Sequence, residues 1–293
     1  MSFFNSIGRS MQRSAPRSQK RSPTPTSATF PTSAGDLPPP SPSSNPNQKP
    51  LYLCSPFVEA ALVKGNFKTI VMLPKYVDVT EWVAVNVFDF FQNLNMFYGV
   101  ISECCTQQSC PTMTAGPALN YTWINQDRKS VQLPAPTYID YVMTWVQNLL
   151  DDETTFPTKS GMFTLPLCLL IPPAPRTSHY PSIFRSCLST SLTTAFPSSP
   201  VLGTEFPATF PATIKHVYRQ LLRVFAHIYH AHYPQILHLR SEPHFNSLFA
   251  HFLAFGREYE LLDIKDVRGP PNTPVVGIGA LWERWKEMGI LEG

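Results

Sequence analysis

Two separated clusters of metal-ligand side chains constrain this chain more than any other feature: ECCTQQSC at residues 103–110 and HIYHAH at residues 227–232. Two cysteines and two histidines are the donor set of a closed tetrahedral zinc site, and four protein ligands leave no position for a substrate or a reactive water. A metal held in that way is structural, and it ties together two distant stretches of the chain. Spacing alone leaves the histidine choice open. His227 and His230, three apart, face the same way on a helix, whereas His227 and His232, five apart, lie about 140° apart around an ideal one.

The formal net charge of +3 is unevenly placed. Residues 1–49 carry six Lys/Arg against Asp36 alone, while residues 50–160 carry ten Asp/Glu against six Lys/Arg. An acidic folded segment favours a basic protein partner over nucleic acid. The basic leader adds the expectation of a weak membrane-surface or regulatory contact. Six cysteines without a secretory signal point to a reducing compartment rather than a disulfide framework. The most apolar run, MFTLPLCLLIPPAP, is too short to span a bilayer and is broken by Pro166, Pro172 and Pro173, so no transmembrane segment is expected.

Residues 1–49 are rich in Ser, Pro, Thr and Arg, and the expectation is a disordered tail that cannot bury enough apolar surface to offset ordering entropy. The fold is expected to begin near Leu51 and to run to residue 293. After an extended FKTIVMLP stretch, Asp78 or Thr80 can cap a helix that opens EWVAVNVFDFFQNLNMFYGVI, whose apolar residues are dense enough to place it in the core. NYTWINQDRKSVQL reads as a hairpin turning at Asn125 to Asp127. Pro136 and Thr137 open a second helix, TYIDYVMTWVQNLL. A third helix spans about Ala212 to His232, where Pro234 kinks or ends it. Ser241 as cap and Pro243 in the first turn begin a fourth, and ALWERWKEMG a short last one. The fold class is therefore mainly α, a helical bundle with a small β-hairpin and a structural zinc site.

Residues 162–204 break this pattern: their only charged side chains are Arg176 and Arg185, and they show neither helical nor strand periodicity. So long a loop inside a compact domain is uncommon. Two readings stand: a disordered loop particular to this lineage, or an intron translated in frame, since Gly161-Met162-Phe163 is compatible with a GTATGT donor sequence.

The blocks VMLPKYVDVTEWVAVNVFDFF, CTQQSCPTM, APTYIDYVMTWVQNLLDDETTFPTKSG, LLRVFAHIYHAHY and HFNSLFAHFLAFGREYELLD occur in one order, over about residues 50–160 and 205–265. Together they resemble the Mob/phocein family of kinase activators. The opening KPLYLCSPFVEAALVKGNFKTIVMLPKYVD is most similar to the fungal second Mob subgroup, which partners NDR-type kinases of morphogenesis. In relatives FPTKxG passes almost directly to xFPxxF, which would join Gly161 to Glu205 or Phe206 and so supports the intron reading.

The resemblance implies a non-catalytic coactivator or adaptor. It would bind the N-terminal regulatory extension of an NDR/LATS-family Ser/Thr kinase in cell morphogenesis and polarity signalling, in the cytoplasm and also in the nucleus or at sites of polarised growth. It implies a structural Zn2+ on Cys105, Cys110, His227 and His232, with Cys104 as a spare thiol. The kinase-facing residues it implies are Glu81, Trp82, Val85 and Asp89, with His244 from another block. Spacings of four and eight place Glu81, Val85 and Asp89 on one helix face, an acidic stripe around an apolar spot suited to a basic amphipathic helix. Val77 stands where mitotic-branch members carry an acid. A second family surface, for phosphopeptides, falls here on Arg219, Gln220 and Arg223, and Gln220 cannot supply the missing charge, which leaves Arg219 and Arg223 for the phosphate. The competing readings of the metal pattern are a zinc-dependent hydrolase, which needs a three-ligand site with bound water, and a zinc-containing nucleic-acid-binding protein, which sits badly with the acidic segment and the lack of C2H2 finger spacing.

Overall fold

Asp78 begins the longest helix by accepting hydrogen bonds from the amides of Thr80 (2.7 Å) and Glu81 (3.2 Å), as an N-cap should. The helix that follows, α2 (Val79–Ile101), comes after a four-residue helix, α1 (Phe67–Ile70). The computed structural model describes residues 49–61, 63, 66–117, 119–157, 205–269 and 275–291. The tail over residues 1–48 and the 162–204 segment lie outside the described residues, and so do the expectations placed on them.

Downstream of α2 come two small antiparallel pairs. Strands β1 (Met113–Gly116) and β2 (Leu119–Tyr121) form one, and β3 (Trp123–Ile124) and β4 (Ser130–Val131) the other. The second is the hairpin expected from NYTWINQDRKSVQL; the first was not anticipated. Helices α3 (Ala135–Asp151), α4 (Phe210–Ala231), α5 (Tyr233–His238), α6 (Glu242–Glu258), α7 (Ile264–Arg268) and α8 (Ile278–Glu287) complete the described order. Two local expectations need correction. FKTI is helical rather than extended, because Asn66 caps it by accepting from the Lys68 amide at 2.8 Å. Ser241 precedes α6 but makes no side-chain cap bond; its hydroxyl donates back to the Leu239 carbonyl.

Helix α4 is the axis of the bundle. It packs against α2, α3 and β1, and thirteen of its residues are buried, too many for one apolar stripe, so it is enclosed. Helices α2 and α6 run antiparallel: Trp82 meets Phe255, Phe90 meets Phe252, and Phe97 meets Phe245. Between them His251 is buried, and burial lowers its pKa to about 4, so it stays neutral in the core. Tyr218 on α4 stacks on Phe252 at 4.1 Å and donates its hydroxyl to the Phe252 carbonyl. That ring lies over Gly256, where a Cβ would come within 2.6 Å of Tyr218 and 2.9 Å of Leu262. The N-terminal segment is fastened by polar bonds: Trp285 Nε1 donates to the Val58 carbonyl, and the Asn246 amide to those of Phe57 and Ala60. No helix among the described residues is long and apolar enough to cross a membrane.

Candidate functional site

The sulfurs and ring nitrogens of Cys105, Cys110, His227 and His232 lie within 4.8 Å of one another, and all four side chains are buried. The cysteines sit in the loop between α2 and β1. His227 is in the last turns of α4, and His232 is the residue at which α4 stops. Its backbone (φ −127°, ψ 11°) leaves the helical region, which removes the 140° objection that an unbroken helix would raise. Pro234 then occupies the first turn of α5. His230, the geometrically easier choice from spacing, is exposed.

The donor set fits a divalent tetrahedral ion. Cys105 Sγ is 3.5 Å from His227 Nε2 and Cys110 Sγ is 3.4 Å from His232 Nε2; an edge between sulfur and nitrogen on a tetrahedral zinc measures about 3.6 Å from the usual bond lengths. His227 Nδ1 is 2.8 Å from the Thr114 carbonyl on β1. A carbonyl can only accept, so Nδ1 carries the proton and Nε2 presents its lone pair to the two thiols, the orientation that ligating histidines use. The thiols are unequal. The hydrogen bond from Cys105 outweighs burial and holds Cys110 well below the usual thiol range. The same hydrogen bond, with burial, pushes Cys105 well above it. Cys104 is exposed and outside the cluster. Bound to one ion together, these four donors would fill a tetrahedral coordination sphere.

The other expected residues are more scattered. Glu81 is exposed on the first turn of α2, and Val85 and Asp89 are half-buried along the same face. Trp82 turns inward: it packs on Phe255, and its Nε1 reaches the Val71 carbonyl at 3.4 Å. Asp89 lies deeper than an open surface charge. Burial pushes its carboxyl up to about 7, and its carboxylate has no partner among the described residues. His244 does not join Glu81, because its neighbour Phe245 packs on Phe97, sixteen residues along α2 and so about 24 Å away. Sequence reasoning missed an apolar strip just ahead of Glu81: Met72, Leu73, Tyr76 and Val79 are exposed, Tyr76 fully. The cue was four large apolar side chains within VMLPKYVDV.

Arg219 is exposed, while Gln220 is buried and accepts from the Tyr138 hydroxyl at 3.0 Å. Gln220 therefore points away from any surface ligand. Arg223 donates to the same hydroxyl at 2.6 Å and lies over the Tyr121 ring. Both arginines border a groove of about 580 Å³ whose apolar wall includes Leu119, Leu222 and Val267.

The sequence profile of the Mob1/phocein family matches residues 59–166 and 183–270. The chain is 43% identical over 226 residues to Maintenance of ploidy protein mob2 of Schizosaccharomyces pombe, covering 77% of this chain and 75% of that protein. It is 43% identical over 227 residues to the CBK1 kinase activator protein MOB2 of Candida albicans, covering 78% of this chain. The protein of that name in Saccharomyces cerevisiae is 39% identical over 230 residues, again 78% of this chain. The matches span 58% and 65% of those two proteins' own lengths. The subgroup expected from KPLYLCSPFVEAALVKGNFKTIVMLPKYVD is thus the one these relatives represent, and the chain belongs to the Mob1/phocein family.

Proposed function

We propose that this protein is a non-catalytic activator of an NDR/LATS-family Ser/Thr kinase, binding the kinase's N-terminal regulatory extension in morphogenesis and polarity signalling. The observation that carries the reading is the identity with two fungal proteins named as CBK1 kinase activators. The surface around the start of α2 supports it: exposed apolar side chains at Met72, Leu73, Tyr76 and Val79 border the acidic Glu81 and Asp89. A basic amphipathic helix suits that composition, with charge guiding encounter and apolar burial holding the complex. Trp82 supports this face from beneath, and His244 would belong to a separate contact. Arg219 is the side chain free to meet a phosphate, with Arg223 already engaged by Tyr138. The metal is structural Zn2+, held by Cys105, Cys110, His227 and His232 and joining the cysteine loop to the end of α4. The proposed location is the cytoplasm, with the nucleus and sites of polarised growth as further places of action.

The test is titration of a kinase-extension peptide into the native protein and a Glu81→Lys variant at two ionic strengths, with melting followed in parallel. Native binding should weaken as salt rises, because exposed charges are screened. The variant should bind more weakly at low salt and melt as the native protein does, since a solvated charge adds little stability. Equal affinities would place the kinase elsewhere on the surface.

A further inference from the structure

Four residues separate Cys105 from Cys110, and two of them, Thr106 and Ser109, bond each other reciprocally. The Thr106 amide donates to Ser109 Oγ at 2.9 Å, and the Ser109 amide donates to Thr106 Oγ1 at 3.1 Å. The two hydroxyls lie 3.1 Å apart. Ser109 Oγ also donates to the Cys104 carbonyl at 2.7 Å, and the Cys110 amide closes the turn onto the Thr106 carbonyl at 2.8 Å. Gln107 and Gln108, the two residues between, are exposed. We propose that the Thr106–Ser109 hydroxyl pair is the positioning element of the metal loop, holding the two thiols at ligating separation so that the ion enters a cradle already shaped.

The pairing is that of a capping box, here closing a turn between two metal ligands instead of opening a helix. Each hydroxyl accepts from an amide that the tight turn would otherwise leave without an acceptor. Ser109 Oγ also comes within 3.8 Å of Cys110 Sγ, so the residue that shapes the turn touches one of the ligand sulfurs directly. Without the pair, the loop keeps its ligands but loses its shape, and metal binding must itself fix the intervening backbone against its conformational entropy. Residues that orient metal ligands typically contribute about 10–100-fold in metal affinity, and that is the effect expected here.

The inference rests on the metal reading above, and the experiment separates the two. Full-length native protein, Thr106→Ala/Ser109→Ala, Thr106→Ser and Gln107→Ala/Gln108→Ala are loaded with zinc. Each is mixed with excess chelator well below its melting temperature, and zinc affinity is measured by competition. Cobalt-loaded samples report the coordination geometry through their visible absorption, which a general loss of stability would not alter. The double alanine variant should bind zinc about 10–100-fold more weakly with a broadened cobalt spectrum. Thr106→Ser, which keeps the hydroxyl, and the glutamine variant should match native protein. Should the double variant not fold, Ser109→Ala alone carries the same expectation. Native protein that holds zinc no better than the alanine variants would overturn the positioning role. Native protein that holds no zinc would overturn the metal reading with it.

Discussion

Asp89→Asn should make the free protein more stable and the complex weaker. The carboxylate sits half-buried on α2 without a partner among the described residues, and burial pushes its pKa from 3.8 to about 7. A raised acid pKa is a destabilising term. Below about pH 4 the group is protonated folded and unfolded and costs nothing. Between about pH 4 and 7 the folded state binds more protons than the unfolded, so stability falls as pH rises; above pH 7 the whole cost is present. Three units at about 1.4 kcal/mol each set a ceiling near 4 kcal/mol, and residual solvent at a half-buried side chain brings the expectation to about 1–2 kcal/mol. Asparagine keeps the shape and needs no ionisation. Thermal melts of native and variant protein should therefore coincide at pH 4 and separate at pH 8, with the variant higher by about 2–8 °C. Titration with a basic extension peptide at pH 8 should run the other way, because the variant lacks the anion that a partner's Lys or Arg would pair with. Equal melting at pH 8, or a gap that widens as pH falls, would refute the assignment of Asp89 as a carboxylate left unpaired for a partner.

Two further perturbations probe the frame. Cys110→Ser or His227→Ala should abolish stoichiometric zinc in metal analysis and lower the melting temperature sharply, because structural zinc sites of this type contribute apparent binding energies on the order of 10 kcal/mol; chelation should reproduce the loss in native protein. Gly256→Ala should destabilise by about 1–3 kcal/mol in chemical denaturation despite alanine's better helix propensity, since the added methyl meets Tyr218 at 2.6 Å and that ring is fixed by its stack on Phe252.

How much of this was legible follows the range of the physics involved. The start of α2 was, because an N-cap is a local device and Asp78 makes its bonds within three residues. The expected ligand set came only through family likeness, for the spacing favoured His230, whereas a helix that stops at Ala231 brings His232 into the Cys–His cluster. The β1–β2 pair was hidden because three of the four β1 residues are buried and the strand shows no alternation. The depth of Asp89 was hidden for a related reason. Counting fours along a helix gives direction but not depth, and Asp89 is next to the fully buried Phe90. The Thr106–Ser109 bonds, by contrast, follow a T-x-x-S spacing that was open to inspection between the two cysteines.

The sequence separation within each Cys–His pair, 122 residues, sets a timetable for the newborn chain. At ordinary translation rates of about 5–20 residues per second, some 6–24 s pass between the emergence of a cysteine and that of its histidine. Throughout that interval the ribosome carries an unpaired dithiol whose eventual partners have not been made. A metal joining the four could therefore be enclosed only after His232 has emerged, with α6 and α8 still to follow, and a pause or truncation anywhere before His227 would leave the two cysteines without either histidine.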